Sequence, residues 1–274
     1  MLSGWRIDTV QDILVIAFNK MKNLKQRILS GETVFGCWIN LGSVVSAEII
    51  GRAGFDWVLI DLEHGAGNDM IMYQQLQVLE NTASTALVRT DELARNKVQR
   101  ILDAGATGIM FPQFQKPEEA DLAVKMMYYP PRGIRGMAKS VRAMRFGANS
   151  QEYIANVEKN LICMIQIETI PAVKEIDAIA ATPGVDVLFV GPSDLTLAYG
   201  ILGQINHAQY QQAIREVATA AKKHNKCPGV LLQDISEYEM YHDLGYRFFA
   251  CGADGAFVSK GAADTVKGLN EKRG

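Results

Sequence analysis

Leu161-Ile162-Cys163-Met164-Ile165-Gln166-Ile167-Glu168-Thr169, then the amphipathic stretch Ala172–Ala181, then Val187-Leu188-Phe189-Val190-Gly191, is the segment that decides the fold. Both outer runs are short and almost continuously apolar, as strands covered on both faces must be. Two such strands joined by a helix-like stretch form a parallel βαβ unit. Working outward in both directions, the unit recurs. The apolar runs are Val34–Ile39, Trp57–Ile60, Ala86–Val88, Gly108–Phe111, Leu161–Ile167, Val187–Val190, Pro228–Leu232 and Arg247–Cys251. Between them lie helix-like stretches at Val45–Ala53, Met70–Glu80, Asn96–Ala104, Pro117–Tyr128, Ala172–Ala181, His207–His224, Ser236–Leu244 and Asp254–Lys267. Arg52-Ala53-Gly54, Asp103-Ala104-Gly105 and Asp243-Leu244-Gly245 each stop a helix on glycine, which takes the left-handed closing conformation cheaply. Eight strand–helix units in about 240 residues predict an α/β fold, a single (β/α)8 TIM barrel. A doubly wound open sheet would carry a Gly-rich phosphate loop after its first strand, and Asn40-Leu41-Gly42-Ser43 is not one.

Residues 1–20 precede this pattern and read as an N-terminal extension, either an upstream start or an oligomer contact. Residues 21–274 form the barrel domain, C-terminal helix included, with Lys22–Arg27 as a helix feeding the first strand. The longest irregular segment, Tyr128–Asn149, contains Pro130-Pro131-Arg132-Gly133-Ile134-Arg135-Gly136, and a loop of that length is more often functional than idle. Composition excludes several classes. Hydrophobic residues at 48% and charged residues at 21% are globular values, not those of a disordered chain. With 28 Lys+Arg against 30 Asp+Glu the net charge is −2, which argues against a nucleic-acid partner. No run reaches the ~18 apolar residues of a membrane span, and Ile13–Phe18, preceded by Asp8 and Asp12, makes a poor signal peptide. Cys37, Cys163, Cys227 and Cys251 form no C-x-x-C pair and sit in or beside apolar runs, so reduced thiols in a cytoplasmic protein are expected.

Barrel enzymes place their chemistry at the C-terminal ends of the strands. That rule selects Asp61-Leu62-Glu63-His64 after strand two, Arg89 after strand three, Gln166 and Glu168 at strand five, and Gly191-Pro192-Ser193-Asp194 after strand six. Glu168 and Asp194 lie on neighbouring strands and could share an oxygen-seeking cation such as Mg²⁺ or Mn²⁺; a rim ion pair and a helix cap are the plainer alternatives. His64 is a candidate acid/base that Asp61 could orient, or a loop histidine without a role, and Glu63 is expected to point away from the mouth. His207, His224 and His242 read as surface residues. Arg89 emerges from an apolar strand and needs either a structural carboxylate or a substrate oxygen. Gln166 could bond a ligand or fill the polar top layer, and Gly191 to Ser193 could offer backbone N–H groups or form a simple turn. No lysine ends strands one to six, so a Schiff base is not expected.

Asp61-Leu62-Glu63-His64, Leu87-Val88-Arg89, Gly108-Ile109-Met110-Phe111-Pro112, Pro131–Gly136, Gln166-Ile167-Glu168-Thr169 and Gly191-Pro192-Ser193-Asp194-Leu195 together resemble the HpcH/HpaI aldolase family. These are metal-dependent class II pyruvate aldolases, among them 4-hydroxy-2-oxoheptanedioate and 2-dehydro-3-deoxyglucarate aldolases, and the similarity runs from about Met21 to about Gly268. The resemblance implies a phosphoenolpyruvate/pyruvate-type barrel with a divalent cation (Mg²⁺, Mn²⁺ or Co²⁺) on Glu168 and Asp194, chelated by pyruvate. It implies that Arg89 stabilises the enolate and that His64 with Asp61 handles the aldol hydroxyl proton; Gln166, Gly191, Pro192 and Ser193 stand beside them as the substrate-binding candidates. The implied reaction is cleavage and formation of 4-hydroxy-2-oxo acids, giving pyruvate plus an aldehyde. The implied assembly is a homo-hexamer, a trimer of dimers with an exchanged C-terminal helix. Other chemistries on the same scaffold, with oxaloacetate-like acids as in decarboxylation or citrate-forming condensation, are the alternative, as is a non-catalytic metabolite-binding homologue. Three departures bear on the partner substrate: Ile170 where arginine is common, Met137 where a small residue is common, and the basic stretch Ser140–Gly147.

Overall fold

The computed structural model describes residues 23–273, in which eight parallel strands close into one barrel in chain order. They are β1 (Val34–Ile39), β2 (Trp57–Asp61), β3 (Thr85–Arg89), β4 (Gly108–Phe111), β5 (Ile162–Ile167), β6 (Val187–Val190), β7 (Cys227–Leu231) and β8 (Phe248–Ala253). This is the expected (β/α)8 barrel, and no strand end lies more than two residues from its expected place. The extension over residues 1–20 lies outside the described residues. Among these, no helix is long and apolar enough to cross a membrane.

Alternation along each strand sorts the apolar residues into two cores, because successive side chains leave opposite faces. Val58, Ile60, Val88, Ile109, Cys163, Ile165, Ile167, Leu188 and Val190 face the surrounding helices. Val34, Trp38, Trp57, Leu59, Leu87, Met110, Ile162, Met164, Val187, Phe189 and Phe248 fill the interior. Trp57 stacks on Phe248 with ring centroids 4.2 Å apart. Gly36 is required beside this pair, since a Cβ there would sit 2.0 Å from the Trp57 ring. The helix Leu24–Leu29 inserts Leu24 and Ile28 into the interior core, closing its N-terminal end. Lys25 is tied down there by Asp186, 3.0 Å away. That helix therefore plugs the barrel as well as feeding β1.

Three local expectations are corrected. The stretch Ala172–Ala181 belongs to two short helices, Ile170–Lys174 and Ile176–Ala181, which meet at Glu175. A helix unassigned from sequence, Ser150–Asn160, follows the long loop and precedes β5. The last helix runs from Asp254 to Arg273, well past Lys267. Gly54, Gly105 and Gly245 do close their helices in the left-handed region, with φ near +100°.

Candidate active site

The inward parity that fills the barrel also selects what rises into its mouth. On β2 it runs Trp57, Leu59, Asp61; on β3, Leu87, Arg89; on β5, Ile162, Met164, Gln166 and then Glu168 just beyond. These are the residues that end in polar groups at the C-terminal rim. The register places Asp61 directly opposite Arg89. Their buried side chains make a two-pronged ion pair: Arg89 Nε donates to Asp61 Oδ1 at 2.9 Å and Nη2 donates to Oδ2 at 2.8 Å. Beneath the pair lies Trp38, whose ring centroid is 4.3 Å from Arg89 Cζ.

Two sequence expectations change here. Asp61 does not orient the His64 ring; its carboxylate is committed to Arg89 and to the backbone N–H groups of Glu63 and His64. The His64 side chain is 67% exposed at the rim, and its nearest carboxylate is Glu63, with Nε2 to Oε2 at 3.9 Å. Glu63 does not point away from the mouth either. Its Oε2 lies 2.7 Å from Arg89 Nη1, and burial pushes its carboxyl up from the ordinary value while Arg89 pulls it back down. His224 and His242 are occupied elsewhere, His224 by Asp177 and His242 by the Tyr238 ring, and His207 caps a helix.

A cavity of about 260 Å³ opens at this mouth, lined by Asp61, His64, Arg89, Gln166, Gly191, Pro192, Ser193 and Asp194. Eight of the nine sequence candidates therefore converge on one space. The ninth, Glu168, lines an adjoining cavity of about 310 Å³ that Asp194 shares. Trp38, Asn40, Phe189, Leu231 and Ala253 complete the first cavity. Sequence reasoning missed these because it searched strand ends for charge; inward parity on β1, β6 and β7 would have found all but Ala253, which a register shift between β1 and β8 brings to the mouth.

Glu168 is buried and accepts the Gln113 backbone N–H at 2.8 Å together with the Gln166 side-chain amide. Burial pushes its carboxyl up to about 7, against the Gln113 hydrogen bond and with help from the Asp194 charge. Asp194 occupies the first turn of the helix Pro192–Ala198 without capping it, and no ion pair or hydrogen bond among the described residues takes its carboxylate. Gly191 is needed for close approach: a Cβ there would lie 2.7 Å from Glu168 Oε2 and 2.9 Å from Gln166 Nε2. Gln166 Oε1 is buried without a partner. Two crowded carboxylates and an orphaned amide oxygen fit a hard divalent cation that keeps most of its positions for water and substrate. Among the described residues no cluster of three or more ligating side chains offers a fuller metal cage.

No lysine lines either cavity at the mouth. Lys226 donates to the Thr182 and Val185 carbonyls at the N-terminal end of the barrel. The long loop is also remote. Arg142 and Arg145 line a cavity of about 540 Å³ with Asp56, Thr85 and Thr107, at the starts of β2, β3 and β4. Its Arg135 is buried between Asp103 and Tyr153. The basic stretch thus lines a cavity at the opposite face, whereas Ile170 lines the Glu168–Asp194 cavity.

The fold and the mouth residues define a barrel enzyme of the aldolase/lyase class. The family model described as HpcH/HpaI aldolase/citrate lyase matches residues 34–260, and the chain belongs to that family. It is 39% identical over 246 residues to the 5-keto-4-deoxy-D-glucarate aldolase of Escherichia coli O9:H4 (strain HS), covering 89% of this chain and 96% of that protein. It is 37% identical over 237 residues to the hydroxypyruvate/pyruvate aldolase of Paraburkholderia phytofirmans, covering 84% and 91%. A crystal structure of a family member from Burkholderia cenocepacia J2315 superposes with a TM-score of 0.86 at 34% identity, covering 90% of this chain and 98% of that one.

Proposed function

We propose that the protein cleaves, and in reverse forms, 4-hydroxy-2-oxo acids, exchanging them with pyruvate and an aldehyde. The observation that carries this reading is the Arg89 guanidinium, fixed at the mouth by Asp61 and facing the same cavity as His64, Gln166 and Asp194. Glu168 and Asp194 would hold a divalent cation (Mg²⁺, Mn²⁺ or Co²⁺). When bound there, such a cation supplies Lewis acidity to the keto group.

In the cleavage direction the C3–C4 bond breaks and its electron pair passes to the oxo-acid half, which becomes an enolate. Arg89 directs its free N–H bonds at that developing negative oxygen, where a fixed donor gains strength as charge grows. His64 takes the proton of the C4 hydroxyl as the aldehyde carbonyl forms. Gln166 holds Glu168 through its amide N–H, and its unpartnered Oε1 accepts from a donor in the mouth, a substrate hydroxyl or a water. Gly191, Pro192 and Ser193 form the wall against which the substrate carboxylate lies. The four cysteines are unpaired, and Cys37, Cys163 and Cys227 are buried, which supports a cytoplasmic setting. The working form is a homo-oligomer, supported by the apolar residues left uncovered on the C-terminal helix.

The test is turnover of a panel of 4-hydroxy-2-oxo acids, followed by pyruvate release. Activity should vanish on chelation and return with Mg²⁺, Mn²⁺ or Co²⁺, without unfolding at any stage. Borohydride with pyruvate should trap no adduct. Full turnover after verified metal removal, or a mass gain matching reduced pyruvyl-lysine, overturns the reading.

A further inference from the structure

The Arg89 guanidinium is gripped on more sides than Asp61 alone provides. Of its five N–H bonds, those on Nε and one on Nη2 go to Asp61. The ring of Trp38 covers one face. The remaining edge, Nη1, meets Glu63 Oε2 at 2.7 Å. Glu63 Oε2 is buried with no hydrogen-bond partner, and it meets Arg89 as charge against charge. Glu63 belongs to the loop after β2, and it also lines a separate cavity with Phe111, Pro112 and Gln113. It does not itself line the cavity that holds the reacting groups.

Resting on the aldolase reading, we infer that Glu63 is a positioning residue for Arg89: from the side opposite Asp61, it fixes the direction in which the free Nη N–H bonds point. A guanidinium held only by Asp61 can rock about that two-pronged pair. A second carboxylate on Nη1 removes the freedom, and small misalignments of a donor at a reacting centre are costly. The raised proton affinity of Glu63 fits this arrangement, since burial opposes its charge and Arg89 is the first group that restores it.

The test is a double-mutant cycle of Glu63→Gln with Arg89→Lys, read on kcat, pyruvate KM and melting temperature. If Glu63 acts through Arg89, Glu63→Gln lowers kcat about tenfold in the wild-type background and less than about twofold once Arg89 is lysine, a coupling of the size seen for residues in contact. Pyruvate KM and the melting temperature should stay near wild type. Equal losses in both backgrounds, an unchanged kcat, or a lower melting temperature with normal turnover per folded molecule would each overturn the inference. Should Glu63→Gln not fold, Glu63→Asp, with its charge on a shorter side chain, takes its place in the cycle. The same cycle is run on oxalate affinity by calorimetry in Mn²⁺. If no oxo acid turns over, the aldolase reading fails, while the oxalate arm still reports whether Glu63 and Arg89 are coupled.

Discussion

Arg89 shows why one side chain can be both structural and chemical. The buried carboxylate of Asp61 and the half-buried one of Glu63 sit against it, so Arg89→Ala strands them and should lower the melting temperature. Removing a transition-state donor should also lower kcat per folded molecule by about 10² to 10³. Arg89→Lys keeps the charge but loses the planar fork, and should be impaired as well. A destabilised variant with normal turnover per folded molecule would assign Arg89 to the fold alone. Glu168 carries a second prediction at this scale. Its carboxyl titrates near 7 in the folded chain and near 4.5 when exposed. Between those values the native state binds the proton that the unfolded state has lost, so stability falls as pH rises. The melting temperature of metal-free protein should therefore drop across that window, and Mn²⁺ should stabilise more at pH 8 than at pH 5. A metal-independent slope, measured by calorimetry at the two pH values, would count against Glu168 as a ligand.

Among the elements, the strand is the unit that builds the site. Period-two alternation sends Asp61, Arg89 and Gln166 inward for the same reason that it sends Leu59, Leu87 and Met164 inward beneath them. That much was legible in the sequence once the strands were placed. The pairing of Asp61 with Arg89 was not, because it depends on the register between β2 and β3, which no residue count within one strand specifies. His64 therefore received a partner that the register gives to Arg89. At the end of β6, Gly191 matters through space rather than conformation, since its φ of −96° suits any residue. Gly191→Ala should displace Glu168 and Gln166 and cut turnover by about 10² or more, the cost of a misplacement on the ångström scale. The fold should survive, so far-ultraviolet circular dichroism should match wild type, and near-normal turnover would show that the site can absorb the methyl group.

For the molecule as a whole, the two ends of the barrel do different work. The C-terminal end gathers the acid, amide and guanidinium groups, while the N-terminal end is plugged by Leu24 and Ile28 and braced by Arg135 and Arg142. The helix Asp254–Arg273 begins with Asp254, whose carboxylate accepts the Asn40 and Leu41 backbone N–H groups and the Ser46 hydroxyl. Beyond that anchor it leaves Val258, Val266 and Leu269 exposed, with Leu41, Val45 and Ile49 exposed on the barrel. Apolar surface of this extent on one helix supports the homo-oligomer proposed above. Light scattering after size exclusion should give a multiple of the monomer mass, and Val266→Glu with Leu269→Glu should reduce it. A wild-type monomer at micromolar concentration would overturn the oligomer proposal.

The chain alone reveals the barrel, the strand order and the residues that crown it, because both periodicity and helix stops are local properties. It also shows that none of strands one to six ends on a lysine. Tertiary structure decided which of those residues touch: that Asp61 and Glu63 both serve Arg89, that Glu168 is held by Gln113 and Gln166, and that the long basic loop lies at the far end. The physical reason is that parity fixes the face from which a side chain leaves its strand, whereas register between strands and the packing of loops fix its neighbour.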